Sequence, residues 1–326
     1  MNAADNRVGD AADLSDAVDS PDAPDAVDGA LELVALGTSG SWPSAGRACS
    51  GYLVSVAGRR QAARHQPPHV PPSPASGNEA DADDGGDAPA DASAVSILVD
   101  AGNGSTSNLQ RLVQLDELDA VFISHRHPDH WADLIGMFHA LRLDPRLQRD
   151  PVPLYAPADV PSAVARMLSD SSVAQFDAVF DVRAVTAGDV MTVPAVDGGG
   201  LEIAVEIFPA VHSVPAISFR FSALGRTIAY SGDTAEHPGL IECASHADVL
   251  LCEATWQGLA SSYPAGVHLT AADAGSVATR AQVDRLVLTH VSGGLDTSVS
   301  LREAQATFEG PIDVAADLNR WTLPAR

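Results

Sequence analysis

Apolar and polar positions along the chain form strand-like and helix-like patterns in alternation. Short apolar runs bounded by glycine, proline or polar residues predict strands at 31–37, 51–57, 96–102, 120–124, 201–208, 216–222, 227–231, 248–254 and 285–290. Apolar residues at helical spacing predict helices at 109–115, 131–143, 161–169 and 271–281. Strands that alternate with helices, here in two halves, are typical of an α/β protein whose sheets are covered by helices.

Two segments depart from this pattern. Residues 1–30 are rich in aspartate and low in complexity, and residues 61–94 are rich in Pro, Gly, Ala and Asp. Neither carries enough aromatic and branched residues to build a core. We therefore predict a disordered acidic tail at 1–30 and one domain over 31–326, with a disordered insertion at about 61–94 between two strands.

The charge and the cysteine content narrow the class of protein. The formal net charge is -24, of which the tail carries -7 and the insertion -5, and all 19 basic residues are arginine. An acidic field repels long polyanions, which argues against extended nucleic acid as a partner. GC-rich coding or a salty cytoplasm would also explain this composition. Three unpaired cysteines, no signal peptide and no apolar run of membrane-spanning length predict a cytoplasmic protein without a membrane span.

The segment SHRHPDH at 124–130 concentrates metal-ligand side chains directly after a predicted strand. His125 and His127 are two positions apart, so an extended backbone sends both to one face. Asp129 and His130 follow a turn begun by Pro128 and can point to a second position. Imidazole and carboxylate ligands suit Zn, Mn or Fe. Two metals that share the loop are a simpler geometry than one metal holding all four side chains.

Other strand ends carry similar side chains. His212, Asp233 and His290 each follow an apolar strand, and Asp100 closes the strand SILVD. In α/β proteins, groups just past the strands gather at one edge of the sheet, where sites usually lie. We therefore expect these residues to approach the histidine loop.

Together these motifs resemble a known family. HxHxDH after a strand, a later histidine, SGDT, HLTAADAG and LTHVS are similar to the metallo-β-lactamase fold, and within it to the ribonuclease Z-like branch that includes bacterial cyclic nucleotide phosphodiesterases. The resemblance covers roughly residues 31–326 outside the insertion. It implies an α/β fold, a four-layer αββα sandwich of the metallo-β-lactamase type.

The resemblance also implies roles for individual residues. One metal would be held by His125, His127 and His212, and the second by Asp129, His130 and His290. Asp233 would bridge the two divalent ions, which we expect to be zinc, with manganese or iron as alternatives. Asp100 matches an aspartate that orients a ligand histidine. His268 matches a histidine that assists the leaving group or binds the phosphate, and Asp129 could accept a proton from the attacking water.

Three functions compete on this basis. The first is a dinuclear phosphodiesterase acting on a small phosphodiester, with a cyclic nucleotide such as cAMP as the leading substrate. The second is a ribonuclease Z-type endonuclease that processes transfer-RNA 3′ ends, and the third is a non-catalytic metal- or nucleotide-binding member of the fold. Residues 131–211 lack the Lys-rich, Gly-Pro arm typical of ribonuclease Z, and the acidic core offers little grip on RNA, which favours the first. Homodimers are common among such relatives.

Less specific features lie near these motifs. Thr270-x-x-Asp273 predicts a capping box, so a helix should begin beside His268, where free N–H groups favour phosphate. The loop GTSGSWP at 37–43 is interpreted as an ordinary turn in preference to a phosphate-binding loop.

Aromatic residues near the motifs are candidates for contact with a base. Trp42 and Trp131 are interpreted as packing residues. Trp256 and Tyr263, in an irregular stretch before the histidine at 268, are the better candidates for a pocket wall.

Overall fold

Two seven-stranded β-sheets stack face to face, and helices cover the outer face of each. This computed structural model describes residues 29–58, 94–147, 149–195 and 200–326. The predicted four-layer αββα arrangement is confirmed. The predicted tail and insertion lie outside the described residues, apart from Gly29 and Ala30 in the first strand and Ala94, which begins the strand after the insertion.

The first half of the chain builds one sheet and its helices. Its strands are β1 (Gly29–Gly37), β2 (Ser39–Gly40), β3 (Gly51–Gly58), β4 (Ala94–Ala101), β5 (Ala120–Phe122), β6 (Val152–Ala156) and β7 (Phe180–Ala184). Its helices are α1 (Ser105–Leu109), α2 (Leu134–Leu143), α3 (Val160–Ala165) and α4 (Asp170–Val173), with 3₁₀ turns at Leu115–Glu117, Pro128–His130 and Phe176–Ala178.

The second half builds the other sheet with all but two of its strands. The strands of this half are β8 (Val190–Pro194), β9 (Glu202–Pro209), β10 (Ile217–Ala223), β11 (Arg226–Tyr230), β12 (Val249–Glu253), β13 (Leu286–Thr289), β14 (Val291–Ser292), β15 (Ile312–Val314) and β16 (Arg320–Pro324). Its helices are α5 (Pro238–Ala244), α6 (Ala271–Ala281) and α7 (Thr297–Gln305), with a 3₁₀ turn at Ala260–Ser262. The two exceptions are β14, which pairs with β2, and the last strand, β16, which joins the first sheet.

The strand order brings the carboxyl ends of several strands to one edge. The first sheet runs β16-β1-β3-β4-β5-β6-β7 and the second β15-β13-β12-β11-β10-β9-β8, while β14 and β2 form a separate pair. In the first sheet β4 to β7 are parallel, and in the second β11, β12, β13 and β15 are parallel. Side chains that follow parallel neighbours therefore meet at the same edge of the sandwich.

Three apolar layers hold the elements together. Along β1, Leu31 and Leu33 face the second sheet, whereas Val34 and Leu36 face the helices of the first half. Phe122 of β5 packs edge-on against Phe219 of β10 at a centroid distance of 5.5 Å. A third layer lies between the second sheet and α5 to α7. Because both faces of the central strands are buried, their sequences are apolar almost throughout.

The structure corrects the prediction of a helix at 109–115. Helix α1 ends at Leu109, and the N–H groups of Leu112 and Val113 both donate to the Leu109 carbonyl, which forms a turn. The apolar residues here are spaced as in a helix because they pack inward from the two sides of a turn. The predicted helix at 161–169 is replaced by the shorter α3, followed by α4.

Within the described ranges, no helix is long and apolar enough to cross a bilayer.

The predicted capping box at the start of α6 is confirmed. The Thr270 hydroxyl accepts a hydrogen bond from the Asp273 N–H, and the Asp273 carboxylate accepts one from the Thr270 N–H at 3.0 Å. The helix packs on β12 and β13 through Val277 and Ala278. The cap thus fixes where α6 begins beside His268.

We expect Thr270→Ala to lower the free energy of unfolding by about 1 kcal/mol, because the substitution leaves an N–H group of the first turn without its acceptor. Thr270→Ser keeps the hydroxyl and should retain most of that stability. Urea unfolding followed by circular dichroism measures both, and an alanine variant with the wild-type midpoint would contradict the role of the cap.

Candidate metal centre

The predicted ligands converge where the carboxyl ends of strands from both sheets meet. The 124–130 loop follows β5, and His212, Asp233 and His290 follow β9, β11 and β13. The donor atoms form two groups, each within 4.8 Å and sharing Asp233: His125, His127, His212 and Asp233; and Asp129, His130, His290 and Asp233. The structure therefore brings together all seven residues predicted to bind metal, in the predicted division.

The shape of the histidine loop explains this division. His125 is still extended and forms a β-bridge with Ala216, the residue before β10. Pro128 then begins a single 3₁₀ turn in which the His130 N–H donates to the His127 carbonyl at 3.0 Å. The extended part therefore places His125 and His127 in the first group, and the turn places Asp129 and His130 in the second.

Asp100 orients the imidazoles of His130 and, through Ser124, of His125 by hydrogen bonds at their Nδ1 atoms. Its buried carboxylate accepts hydrogen bonds from the His130 Nδ1–H at 2.7 Å and from the Ser124 N–H and hydroxyl at 2.7 and 2.9 Å. The Tyr230 hydroxyl adds a fourth at 2.7 Å. Since the Ser124 hydroxyl is donated to Asp100, its oxygen accepts from His125 Nδ1 at 3.0 Å. Both rings are thereby left with a lone pair on Nε2.

Two further imidazoles are oriented in the same way. His212 Nδ1 donates to the Val267 carbonyl at 2.7 Å. His290 Nδ1 lies 2.8 Å from the hydroxyl of Thr255, which itself donates to Glu253 at 2.5 Å and so must accept from the ring. These hydrogen bonds also leave Nε2 of each ring as the free acceptor.

The donor atoms face one another at about hydrogen-bond distance. His127 Nδ1 lies 3.0 Å from Nε2 of both His125 and His212, and the Nε2 atoms of His130 and His290 are 3.3 Å apart. Asp233 Oδ1 is buried without a hydrogen-bond partner. Lone pairs that face one another around an unpartnered carboxylate oxygen fit divalent metal ions, which imidazole and carboxylate bind well.

The carboxylates create a strongly negative field within the centre. Burial alone lowers the pKa of His130, but Asp233, Asp100 and Asp129 outweigh burial and raise that pKa well above its usual range. For His125, burial and the neighbouring imidazoles dominate and lower the pKa well below its usual range. The negative field that favours a proton on His130 also favours a metal cation within the centre.

The sequence analysis missed Glu253, the last residue of β12. Its buried carboxylate lies 3.0 and 3.1 Å from His268 Nδ1 and accepts a hydrogen bond from the Thr234 N–H at 2.6 Å. Burial lowers the pKa of His268, but Glu253 outweighs it and, together with Asp233, raises that pKa to about 9. A carboxylate at the end of an apolar strand was the signal used for Asp100, and CEAT at 252–255 carries the same signal.

The aromatic candidates fall into two classes. Trp256 stacks on Tyr263 at a centroid distance of 4.5 Å and meets His268 edge-on at 5.1 Å, so this pair forms a wall beside the centre. Trp131 is only 4% exposed and is a packing residue, as predicted, whereas Trp42 is 53% exposed and does not fit the packing interpretation.

The loop at 37–43 is more than an ordinary turn, because it lies against the centre. The Ser41 N–H donates to Asp129 Oδ2 at 2.9 Å. The Ser41 N–H therefore contacts the carboxylate that the family resemblance assigns to the second metal.

Comparison with known proteins places this geometry in a family. The family described as a beta-lactamase superfamily domain matches residues 96–291, which include the histidine loop, Asp233 and His290. The chain belongs to this superfamily. The predicted metallo-β-lactamase fold is thereby confirmed, and a superfamily of metal-dependent hydrolases normally binds divalent metals at clusters like these.

Individual relatives agree with this membership. An uncharacterized protein of Mycobacterium tuberculosis, Rv1339, is 29% identical over 87% of this chain and 89% of its own length. Ribonuclease Z of Myxococcus xanthus is 27% identical over 71% of this chain and 89% of its own length. The crystal structure of the metallo-β-lactamase fold protein YhfI from Bacillus subtilis superposes with a TM-score of 0.66, at 22% identity over 89% of this chain and 99% of YhfI. Ribonuclease Z is thus among the relatives of this chain, in agreement with the resemblance predicted from the motifs.

We expect Asp100→Asn to lower the affinity for Zn²⁺ about 10- to 100-fold, because an amide nitrogen would face donors that need an acceptor and would no longer fix the His130 tautomer. Asp100 has a positive φ of 54°, which asparagine tolerates, so the backbone should be preserved. Competition with a chromophoric chelator measures the affinity.

Tyr230→Phe is the matched control, because it removes one neutral donor to Asp100 and leaves the carboxylate in place. Its zinc affinity should stay close to that of the wild type. An Asp100→Asn variant that binds zinc as tightly as the wild type would refute the orienting role.

Proposed function

We propose that the chain is a metal-dependent phosphodiesterase that hydrolyses a small phosphodiester, with a cyclic nucleotide such as cAMP as the leading substrate. The observation that carries this proposal is the position of the His268–Glu253 pair beside two ligand groups that share Asp233. We propose zinc as the native metal, although His and Asp ligands also accept Mn and Fe. As ligands we propose His125, His127 and His212; Asp129, His130 and His290; and the shared Asp233.

The ligand residues fit the needs of phosphodiester hydrolysis. Two divalent ions, when bound, would supply Lewis acidity toward the phosphoryl oxygens and acidify water at neutral pH. Two side chains of the protein would carry out the proton transfers. As the water oxygen attacks phosphorus, its proton would pass to Asp129, whose side chain is 12% exposed and borders the centre.

His268 is suited to protonate the departing oxygen. Its Nδ1–H is held by the Glu253 carboxylate, so Nε2 is the nitrogen that can exchange a proton with a substrate. As the P–O bond breaks, the leaving oxygen would take the Nε2 proton. Glu253 orients the ring and stabilises the imidazolium form, as a carboxylate does for the histidine of other hydrolases.

The elements around the centre favour a small substrate. In the described part of residues 131–211, the chain forms α2, β6, α3, α4, β7, β8 and β9, all within the sheets and their covering helices. No lysine is available to contact phosphates, and the chain is strongly acidic. Because RNA binding depends on neutralising many phosphates, these features favour a single phosphodiester over a long RNA.

A ribonuclease Z-type endonuclease that processes transfer-RNA 3′ ends is the second candidate. The similarity to ribonuclease Z of Myxococcus xanthus over 89% of that protein supports it. Both candidates use the same chemistry at phosphorus, so the substrate separates them.

We expect the purified, metal-loaded protein to hydrolyse cyclic nucleotides faster than it cleaves a precursor transfer RNA with a 3′ trailer. His127→Ala and Asp233→Ala should each lower hydrolysis of cyclic nucleotides and of an aryl phosphodiester by about 10³ or more, since bound metals contribute several kcal/mol to such reactions. Chromatography of the products gives the rates. Rapid cleavage of the RNA without turnover of cyclic nucleotides would favour the second candidate, and a variant with the wild-type rate on the aryl ester would exclude the mechanism.

The role of His268 predicts a dependence on the leaving group. His268→Ala should lower kcat for a cyclic nucleotide by about 10²–10⁴, the usual contribution of a general acid. A p-nitrophenyl phosphodiester should lose much less, because its leaving group departs without a proton. Glu253→Gln should show the same selectivity with a smaller loss.

His139→Ala, which alters an exposed histidine on α2, is the control and should leave both rates unchanged. Steady-state kinetics on the two substrates makes the comparison. Equal losses on both substrates would show that His268 acts on binding or structure and not on the leaving group.

A further inference from the structure

Residues 38–43 (the 38–43 loop), the part of the 37–43 loop that follows β1, contact two residues of one ligand group. The Ser41 N–H donates to Asp129 Oδ2 at 2.9 Å, and the same oxygen lies 3.3 Å from His290 Nε2. Gly40 packs on the other residue: a Cβ at this position would lie 2.5 Å from the His290 carbonyl oxygen and 2.8 Å from its Nδ1. The loop thus fixes the carboxylate oxygen that faces the centre and leaves room for the His290 ring.

The backbone of this loop is held in a costly conformation. Ser41 has a φ of +62°, in the left-handed region that non-glycine residues rarely adopt. Strand β2 holds the loop on one side, through pairing of Ser39 with Val291 and of Gly40 with Ser292. Such strain persists only where the surroundings determine the conformation, and here it directs an N–H group at a carboxylate.

The other ligand group has no comparable connection. Among hydrogen bonds between described residues, none joins the 38–43 loop to His125, His127 or His212. His125 and His212 are instead oriented by Ser124 and by the Val267 carbonyl. Asp100 supports His130 and, through Ser124, also His125, but the 38–43 loop supports only the group of Asp129, His130 and His290.

Asp317 fastens the base of the loop. Its Oδ1 accepts from the Thr38 hydroxyl at 2.9 Å, and its Oδ2 accepts from the Ala48 N–H at 2.8 Å and from the Asn108 side chain at 3.3 Å. Arg47 reinforces the same point by donating to the Thr38 hydroxyl and carbonyl. Asp317 thereby joins Thr38, where the loop begins, to Ala48, in the segment that returns from the loop.

The segment that carries Asp317 is itself tied to β1. The Leu318 N–H donates to the Ala35 carbonyl at 2.6 Å, and the Ala35 N–H donates to the Asn319 carbonyl at 3.0 Å. The half-buried Asp317 is therefore presented from a fixed backbone between β15 and β16.

We infer that Asp317 and Gly40 are positioning residues for the Asp129, His130 and His290 metal position alone, acting through the 38–43 loop. The affinity of this position is then set separately from that of the His125, His127 and His212 position. The inference rests on the metal centre of the proposed function but not on its substrate.

The test is a Zn²⁺ titration of the metal-free protein, followed by competition with a chelator and by NMR of the histidine rings. The wild type should bind two equivalents. Gly40→Ala and Asp317→Asn should weaken one of them about tenfold or more, as loss of residues that orient ligands usually does, and leave the other unchanged. When either variant has received one equivalent of Zn²⁺, the NMR signals of the His125, His127 and His212 rings should shift. The ring signals of His130 and His290 should stay at their metal-free positions.

Gly46→Ala is the matched control. Gly46 lies in the adjacent 44–47 turn, also has a positive φ, of 75°, and has open space where a Cβ would be added. The control carries backbone strain without contact to a ligand, so both affinities should match the wild type. Asp317 contacts no metal-binding residue directly. The Asp317→Asn variant therefore keeps the test valid if the Gly40→Ala variant fails to fold.

The outcomes separate this inference from the proposed function. A wild-type protein that binds no zinc would overturn the metal centre itself. Two equivalents in the wild type with both steps weakened equally in the variants, or with Gly46→Ala behaving like Gly40→Ala, would overturn the selective role of the loop. Failure of the substrate assays would leave this result unaffected.

Discussion

The carboxylate of Asp100 connects the two sheets at the point where the imidazoles meet. Asp100 is the residue before the last in β4 of the first sheet, yet one of its four donors is Tyr230 from β11 of the second sheet. Burying a carboxylate is costly unless its oxygens are fully hydrogen-bonded, and these four donors satisfy that condition. The stacking of the sheets, the tautomer of His130 and the position of the histidine loop therefore depend on one another. A change in the packing of the sheets would be felt directly at the ligands.

Most of the candidate centre could be predicted from the sequence because its residues carry local signals. The histidine loop is continuous in the chain, and Asp100, Asp233 and His290 each stand at the end of an apolar run. Glu253 was missed although it has the same signal, because its importance depends on a partner, His268, that approaches it only in the folded chain. The contact between Ser41 and Asp129 could not be predicted, since it requires the return of a loop across 88 positions of sequence.

The fold shows the same limit. Strands buried on both faces, such as β12 and β13, are apolar up to their last residue and were predicted within a residue or two, at 248–254 and 285–290. The edge strands β7 and β8 carry exposed and polar positions that hide their pattern, and both were missed. At 109–115 the spacing of apolar residues fitted a helix, but the chain turns there to enter β5. Periodicity records which positions are buried, and a turn between two buried residues can imitate the spacing of a helix.

The hairpin of β3 and β4 places the two points where the predicted insertion is attached at the opposite end of these strands from Asp100. The strands pair from Gly51 and Ala101 to Ala57 and Ala94, and Asp100 lies at the first of these ends, whereas residues 59–93 join the strands at the other. The entropy of closing a loop grows slowly, by about 0.6 kcal/mol for each doubling of its length. Evolution can therefore lengthen, shorten or replace this connection at little thermodynamic cost. For the same reason, it is a natural place to graft a reporter domain without disturbing the ligands.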